Sequence, residues 1–360
     1  RRPPRSTLFP YTPLFRSSGM LKKAWNGKQP KKILRLESII PLENVLSHAS
    51  DRRLEVVLGK ERRDLTYLTL NLKEQGPHFL IQGSPFSGRT TTLRTFILSL
   101  ASKYSPERAA FILVDAQRRL FQYGEQEHRT LTRIPHVRLA ISEQNREQMD
   151  VMVESIKQIY ANRDATLPEI FIFIDNYDDF GDLMERKFLP DFANLARRYG
   201  AEGLHVVIAS GTPSSDELFK VITRSKYGLA LDAESGGKAP FNLTAMNKIA
   251  KLDLPVGRGF LISTGRFQML QISTPYPIED ANEIQDLQEL QERAAVQLDA
   301  WVERIESQWQ GVTPWQFPEV TVAAKSGTSS GGSTGSSSTS AAKSSPPNGG
   351  SAKPKGGAAP

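Results

Sequence analysis

The stretch 83-GSPFSGRTT-91 carries the residue types that could hold a phosphate chain. Gly83 and Gly88 stand at the spacing G-x-x-x-x-G, followed by the cation of Arg89 and the hydroxyl of Thr90. Glycines let backbone N–H groups curl around phosphate oxygens, and a helix N-terminus behind the loop adds its positive dipole end. All nine residues, Gly83, Ser84, Pro85, Phe86, Ser87, Gly88, Arg89, Thr90 and Thr91, are candidates for binding a nucleotide. Thr90 would place an oxygen on Mg²⁺. The competing reading is a tight strand–helix turn with incidental glycines, which the following hydroxyl and cation argue against. Arg89 is a departure, because such loops carry lysine there, a compact point charge between the β- and γ-phosphates. Arginine is a longer, planar fork and cannot fill the same place without moving the phosphates. Binding is compatible with it; fast in-line transfer, which depends on positioning, is not.

A second candidate lies downstream in 170-IFIFID-175, where Asp175 ends an apolar run and is suited to Mg²⁺, directly or through water. The alternative is an Asp that only caps the next turn. Asn176 follows where a glutamate base would stand in a hydrolase of this kind, and an amide cannot accept that proton. Asp178 and Asp179 read as turn or helix-cap residues rather than substitutes.

These residues need strands and helices to position them. Strands are expected at 54–61, 65–72, 78–82, 109–115, 136–142, 170–175 and 204–210, with helices at 90–104, 143–163 and 186–199. Near-continuous apolar strands alternating with helices predict an α/β fold with a mainly parallel sheet covered by helices on both faces. Beyond it come 226–232, a glycine-rich loop, a hairpin of 259–265 with 266–273, and a long helix over 278–309. The apolar seam of that helix runs through Ile284, Leu287, Leu298, Trp301 and Ile305.

The chain has 360 residues and no cysteine, which excludes a disulfide scaffold and a cysteine-bound zinc and fits a reducing compartment. No apolar run reaches the roughly 20 residues that span a bilayer. The formal charge of +7 owes much to the tails, so it reads as a basic solvated surface rather than a nucleic-acid footprint. Residues 8–17, LFPYTPLFRS, resemble a translated sequencing adaptor, so 1–19 is read as an artefactual or disordered leader and the natural chain as beginning further upstream. Residues 20–50 read as a linker, 51–277 as the main domain and 278–324 as a C-terminal helix and extension. Residues 325–360, built from Ser, Gly, Thr, Ala, Pro and Lys, read as a disordered tail.

From about Leu54 to Ser273 the chain resembles the FtsK/SpoIIIE family of P-loop ATPases, in the additional-strand RecA-like group of FtsK/HerA type. Besides the loop, the resemblance rests on 112-ILVDAQ-117, 134-IPHV-137, 159-IYANR-163, 171-FIFIDNYDDF-180, 203-GLHVVIASGTPS-214 and 221-VITRSKYGLALDAES-235. With 255-PVGRGFL-261 and the lead-in 31-KKILRLESIIPLENVL-46, it is most similar to the C-terminal (third) ATPase domain of EccC/EssC-type proteins of type VII secretion. The resemblance implies that Ser210-Gly211 replaces the sensor pair Thr-Gln, whose Gln reports the γ-phosphate; glycine cannot. Arg89, Asn176 and Gly211 are thus three departures at three catalytic positions, and no catalytic set is intact.

What the resemblance implies is a domain that binds ATP and Mg²⁺ with weak or no hydrolysis and serves in docking and assembly. Its partners would be neighbouring ATPase domains of the same chain or oligomer and a secreted helical WXG-type substrate. Arg224 and Arg258 are candidates to reach a neighbour's phosphates in trans, or are surface arginines. The full-length protein would be cytoplasmic, tethered to the inner face of the membrane only through upstream segments. Two other readings remain. One is an active DNA translocase, for which no intact catalytic set, pore loop or winged-helix reader is seen, so DNA is not expected as a partner. The other is a structural domain that binds no nucleotide.

Overall fold

The computed structural model describes residues 35–51, 53–121, 131–162, 167–183, 188–249, 254–278 and 286–318, with isolated positions 20, 24 and 27. The leader and tail expected at 1–19 and 325–360 lie outside the described residues.

Ten strands form one sheet. In chain order they are β1 (Val56–Glu61), β2 (Tyr67–Leu70), β3 (His78–Gln82), β4 (Ala109–Val114), β5 (Val137–Ile141), β6 (Glu169–Ile174), β7 (Leu204–Ser210), β8 (Gly228–Ala230), β9 (Arg258–Ser263) and β10 (Arg266–Ile272). The spatial order is β2-β1-β10-β9-β8-β3-β7-β6-β4-β5. The six strands from β8 to β5 run parallel. The hairpin of β9 and β10 then joins antiparallel to β8 and links it to β1 and β2. This is the mainly parallel α/β sheet the apolar strands imply, with an antiparallel extension on one side.

The helices are α1 (Leu72–Gln75), α2 (Arg89–Lys103), α3 (Gln148–Ala161), α4 (Tyr177–Leu183), α5 (Leu189–Tyr199), α6 (Glu217–Thr223), α7 (Ala233–Gly237) and α8 (Leu287–Gln308). Period-2 alternation in the strands sorts their side chains between two cores. Phe171 and Phe173 of β6 face the core that holds Leu93, Phe96 and Ile97 of α2 together with Leu298, Trp301 and Ile305 of α8. Ile170, Ile172 and Ile174 face the other, against Met152 and Ile156 of α3, Phe192 of α5 and Leu218 of α6. Both sheet faces are therefore covered. Ile40, Leu42 and Val45, from the expected linker, are fully buried in the α2–α8 core.

Several boundaries differ from expectation. The helix expected from 143 is split, because Ser142 and Asn145 close a capping box around a single turn of 3₁₀ helix before α3 starts at Gln148. The helix expected from 186 starts at Leu189, and α4 lies unforeseen between it and β6. The long helix expected from 278 begins at Leu287, where the Asp286 carboxylate accepts the Gln288 N–H at 2.8 Å. Of its expected seam, Leu298, Trp301 and Ile305 are buried, while Ile284 lies outside the described residues and the side chain of Leu287 is not described.

The end of α8 meets the end of α2. The Trp309 indole N–H donates to Ala101 O at 2.7 Å and Gln308 Nε2 donates to Ser102 O at 2.8 Å. Both acceptors belong to the last turn of α2, whose carbonyls have no partner within their own helix.

Candidate functional site

Three strand ends build the site. At the C-terminal end of β3 the chain enters the Gly83–Gly88 loop and then α2, with the Gly83 N–H donating to Ser210 O of β7 at 3.3 Å. Ser87 N–H closes the loop onto Ser84 O at 3.2 Å. Gly83 leaves room for the loop to close, since a Cβ there would stand 2.3 Å from the Ser87 Oγ and 3.0 Å from the Leu231 Cβ. Gly88, at φ +101, takes the left-handed turn into the helix and has no side chain to cap it. The N–H groups of the first turn therefore face outward at the positive end of a 15-residue helix. Phe86 holds φ +64 with its ring 94% exposed at the crest of the loop.

Ser84 is anchored from the side, its N–H and Oγ donating to Asp232 Oδ2 at 2.8 and 3.0 Å. Thr91 is tied down as well, its Oγ1 accepting from the Tyr276 hydroxyl at 2.9 Å.

Asp175 follows β6, two strands from β3, and accepts a 2.6 Å hydrogen bond from the Thr90 hydroxyl at Oδ2. It is nearly enclosed, and burial, foremost, raises its pKa against the hydrogen bonds from Thr90 and the Asn176 N–H. A second buried acid stands at the end of β4. Asp115 accepts the N–H groups of Leu120 (2.7 Å) and Gln117 (3.0 Å), yet burial and then the Asp175 charge push its pKa up to about 6. Arg94, one turn along α2 and buried, contributes positive charge felt at Asp175 and donates to Leu120 O at 3.3 Å. Asp115 ends the apolar run 109-AAFILVD-115 just as Asp175 ends 170-IFIFID-175, and that shared position is the signal in the sequence that marks it.

The three departures sit together. Asn176 adopts φ +49, a left-handed conformation that Asn tolerates better than most residues, and its amide donates to Asp179 Oδ2. Arg89 Nη1 lies 3.7 Å from Asp178 Oδ2 and makes no hydrogen bond. Asp178 in turn accepts the N–H groups of Gly211 (2.9 Å) and Thr212 (3.2 Å) and the Thr212 hydroxyl. Any side chain at Gly211 would begin 2.7 Å from Arg89 Nη1. Asp178 thus caps the distant 211–212 turn rather than only its own and is also the counter-ion of Arg89, neither of which a local signal announces.

The two arginines expected to act in trans differ in their surroundings. Arg258 donates to Gln271 Oε1 (2.8 Å) and to the carbonyls of Leu36 (3.3 Å) and Glu37 (2.9 Å), so its head is engaged within its own chain. Arg224 is exposed just past α6 and lines a surface depression with Pro77, His78 and Arg197, at the opposite end of β3 from the loop.

A glycine loop between a parallel strand and a long helix, with an acid closing onto its threonine from the end of a nearby strand, defines a RecA-like P-loop ATPase fold. Residues 42–169 match the model of the FtsK/SpoIIIE family, a stretch that includes the loop and ends before Asp175. Among curated proteins it is similar to the ESX secretion system protein YukB of Bacillus subtilis, 26% identical over 246 residues, 60% of this chain and 16% of that protein. It is also similar to the type VII secretion system protein EssC of Staphylococcus aureus, 26% identical over 286 residues, 72% of this chain and 18% of that protein. The chain thus spans about a sixth of the length of these relatives. Among solved structures, ATPases 2 and 3 of Thermomonospora curvata EccC, in complex with a signal sequence peptide, align with TM-score 0.53 at 17% identity, covering 72% of this chain and 47% of that one. ATPases 2 and 3 of Geobacillus thermodenitrificans EssC align with TM-score 0.53 at 18% identity, covering 82% and 55%. At these identities the two structures speak to the fold alone.

Proposed function

We propose that this chain is an ATPase-type domain of a type VII secretion machine that binds a nucleotide with Mg²⁺, hydrolyses it little or not at all, and works in docking and assembly. The observation that carries the reading is the closed Thr90–Asp175 contact beside hydrolytic positions that hold Asn176 and Gly211. A hydroxyl and a carboxylate oxygen 2.6 Å apart at the loop suit one hard cation. Among the described residues no cluster of three or more His, Asp or Glu could hold a metal alone, so the remaining ligands would come from phosphate and water. Bound there, Mg²⁺ would neutralise phosphate charge and draw on the two acids that burial holds protonatable. Nothing at Asn176 can accept a proton from water.

The relatives supply the context. YukB and EssC are named as secretion proteins, and the EccC structure holds a signal sequence peptide. By that analogy the partners are neighbouring ATPase domains and a helical export substrate of WXG type. No helix among the described residues is long and apolar enough to cross a membrane, so a tether at the inner face would come from other segments of a longer protein.

Calorimetric titration with nucleotide and Mg²⁺, together with a phosphate-release assay, tests the reading. Saturable binding with negligible turnover supports it. Turnover stimulated by duplex DNA would replace it with a translocase, and no binding at millimolar nucleotide would leave a structural domain. Arg89→Lys with Asn176→Glu should raise hydrolysis only weakly, by about tenfold or less, because glutamate must enter the left-handed backbone at 176, at a cost of about 1 kcal/mol.

A further inference from the structure

Arg89, Asp178 and Gly211 form a single unit across the mouth of the loop. Asp178 is fixed by three donors from the 211–212 turn, so its carboxylate is a rigid feature rather than a swinging side chain. Arg89 extends from the first residue of α2 to within 3.7 Å of it. The guanidinium fits because Gly211 leaves the space open, and even a Cβ there would meet it at 2.7 Å.

The residue at position 89 is the one a phosphate loop directs between the second and third phosphates of a nucleotide. Here its charge is already spoken for. A third phosphate arriving at Arg89 meets a cation that is paired and a fixed carboxylate immediately behind it. Drawing Arg89 off Asp178 would leave that carboxylate unneutralised against the further negative charge of the third phosphate. A diphosphate ends before that point. Its oxygens can use the outward N–H groups of the first turn of α2 without displacing the pair. We propose that this site selects nucleoside diphosphates over triphosphates, with Asp178 as the residue that sets the preference and Arg89 and Gly211 as the residues that position it.

The proposal rests on the nucleotide-binding reading above, and one set of titrations separates the two. MgADP and the slowly hydrolysed MgATPγS are titrated into the full chain by calorimetry. The wild type is expected to bind MgADP at least about tenfold more tightly, the effect of one close like-charge contact in a partly screened site. Asp178→Asn, which removes the charge and keeps one acceptor oxygen, should bring the two affinities to within about threefold. Gly211→Ala, whose Cβ would meet Arg89 Nη1 at 2.7 Å and Asp178 Oδ2 at 3.3 Å, loosens the pair while keeping the carboxylate and should widen the gap instead. The opposite directions are what a general loss of structure would not produce, and circular dichroism of each variant checks folding. Equal or tighter binding of MgATPγS by the wild type, or a preference unchanged by both variants, overturns the selectivity while leaving nucleotide binding intact. No heat with either nucleotide overturns the binding reading and the selectivity with it.

Discussion

Asp115 and Asp175 place two carboxyl groups in the same buried region with few countercharges, and this makes stability depend on pH. With its folded pKa raised to about 6 from 3.8, Asp115 binds a proton more readily in the folded protein than in the unfolded chain. Its contribution therefore falls as pH rises through that interval and is lowest above about 6. Asp175, raised mainly by burial, acts in the same sense. Asp115→Asn removes the ionisation and should gain on the wild type by up to about 3 kcal/mol between pH 4 and pH 7, against a pH-independent loss at the N–H groups of Leu120 and Gln117. Urea denaturation of both proteins across this range reads the difference; a constant gap would mean Asp115 does not titrate there. At this scale the sequence was informative wherever one residue type suffices: Gly88 in a left-handed turn, Thr90 beside Asp175. It was silent on Asp178, because the contact with Arg89 spans 89 positions and joins two elements that meet only in the folded sheet.

Helix α2 presents its N-terminus to the site and is held at its other end by α8. Gln308 and Trp309 serve as donors for carbonyls that their own helix cannot satisfy, and the Trp301 indole N–H donates to Pro275 O at 2.7 Å. Removing Gln308 and Trp309 as donors, in Gln308→Ala with Trp309→Phe, should cost about 2 kcal/mol in urea denaturation, roughly one for each bond lost. A loss below about 0.5 kcal/mol would mean water satisfies those carbonyls equally well. The buried strands were legible because runs such as 170-IFIFID-175 are β-branched and aromatic and end at a polar residue. The start of α8 was not, since Leu287 and Ile284 share an apolar pattern and only the Asp286 cap decides where the helix begins.

Across the whole molecule, the β9–β10 hairpin joins the parallel strands to β1 and β2, and Arg258 lies at that junction. It links β9 to Gln271 of β10 and to the carbonyls of the lead-in segment at Leu36 and Glu37. Arg258→Ala should therefore lower the stability of the isolated chain by about 1–3 kcal/mol, whereas Arg224→Ala, at an exposed position, should stay within about 0.5. Equal, negligible losses would free Arg258 for a neighbour's site. The insertion of β10 between β9 and β1 is long-range pairing, and the alternation that marks each strand carries no information about which edge it meets.

The sequence holds four tryptophans, and three of them, Trp301, Trp309 and Trp315, fall between α8 and the segment after it. The phosphate loop has none, so the intrinsic tryptophan fluorescence of the described chain originates outside the loop. Yet Trp309 is hydrogen-bonded to the last turn of the helix whose first turn faces the phosphates, about 20 Å away along its axis. The chain carries a built-in optical reporter on the far end of its own phosphate helix, and a nucleotide that shifts that helix announces itself as a change in emission without any added label.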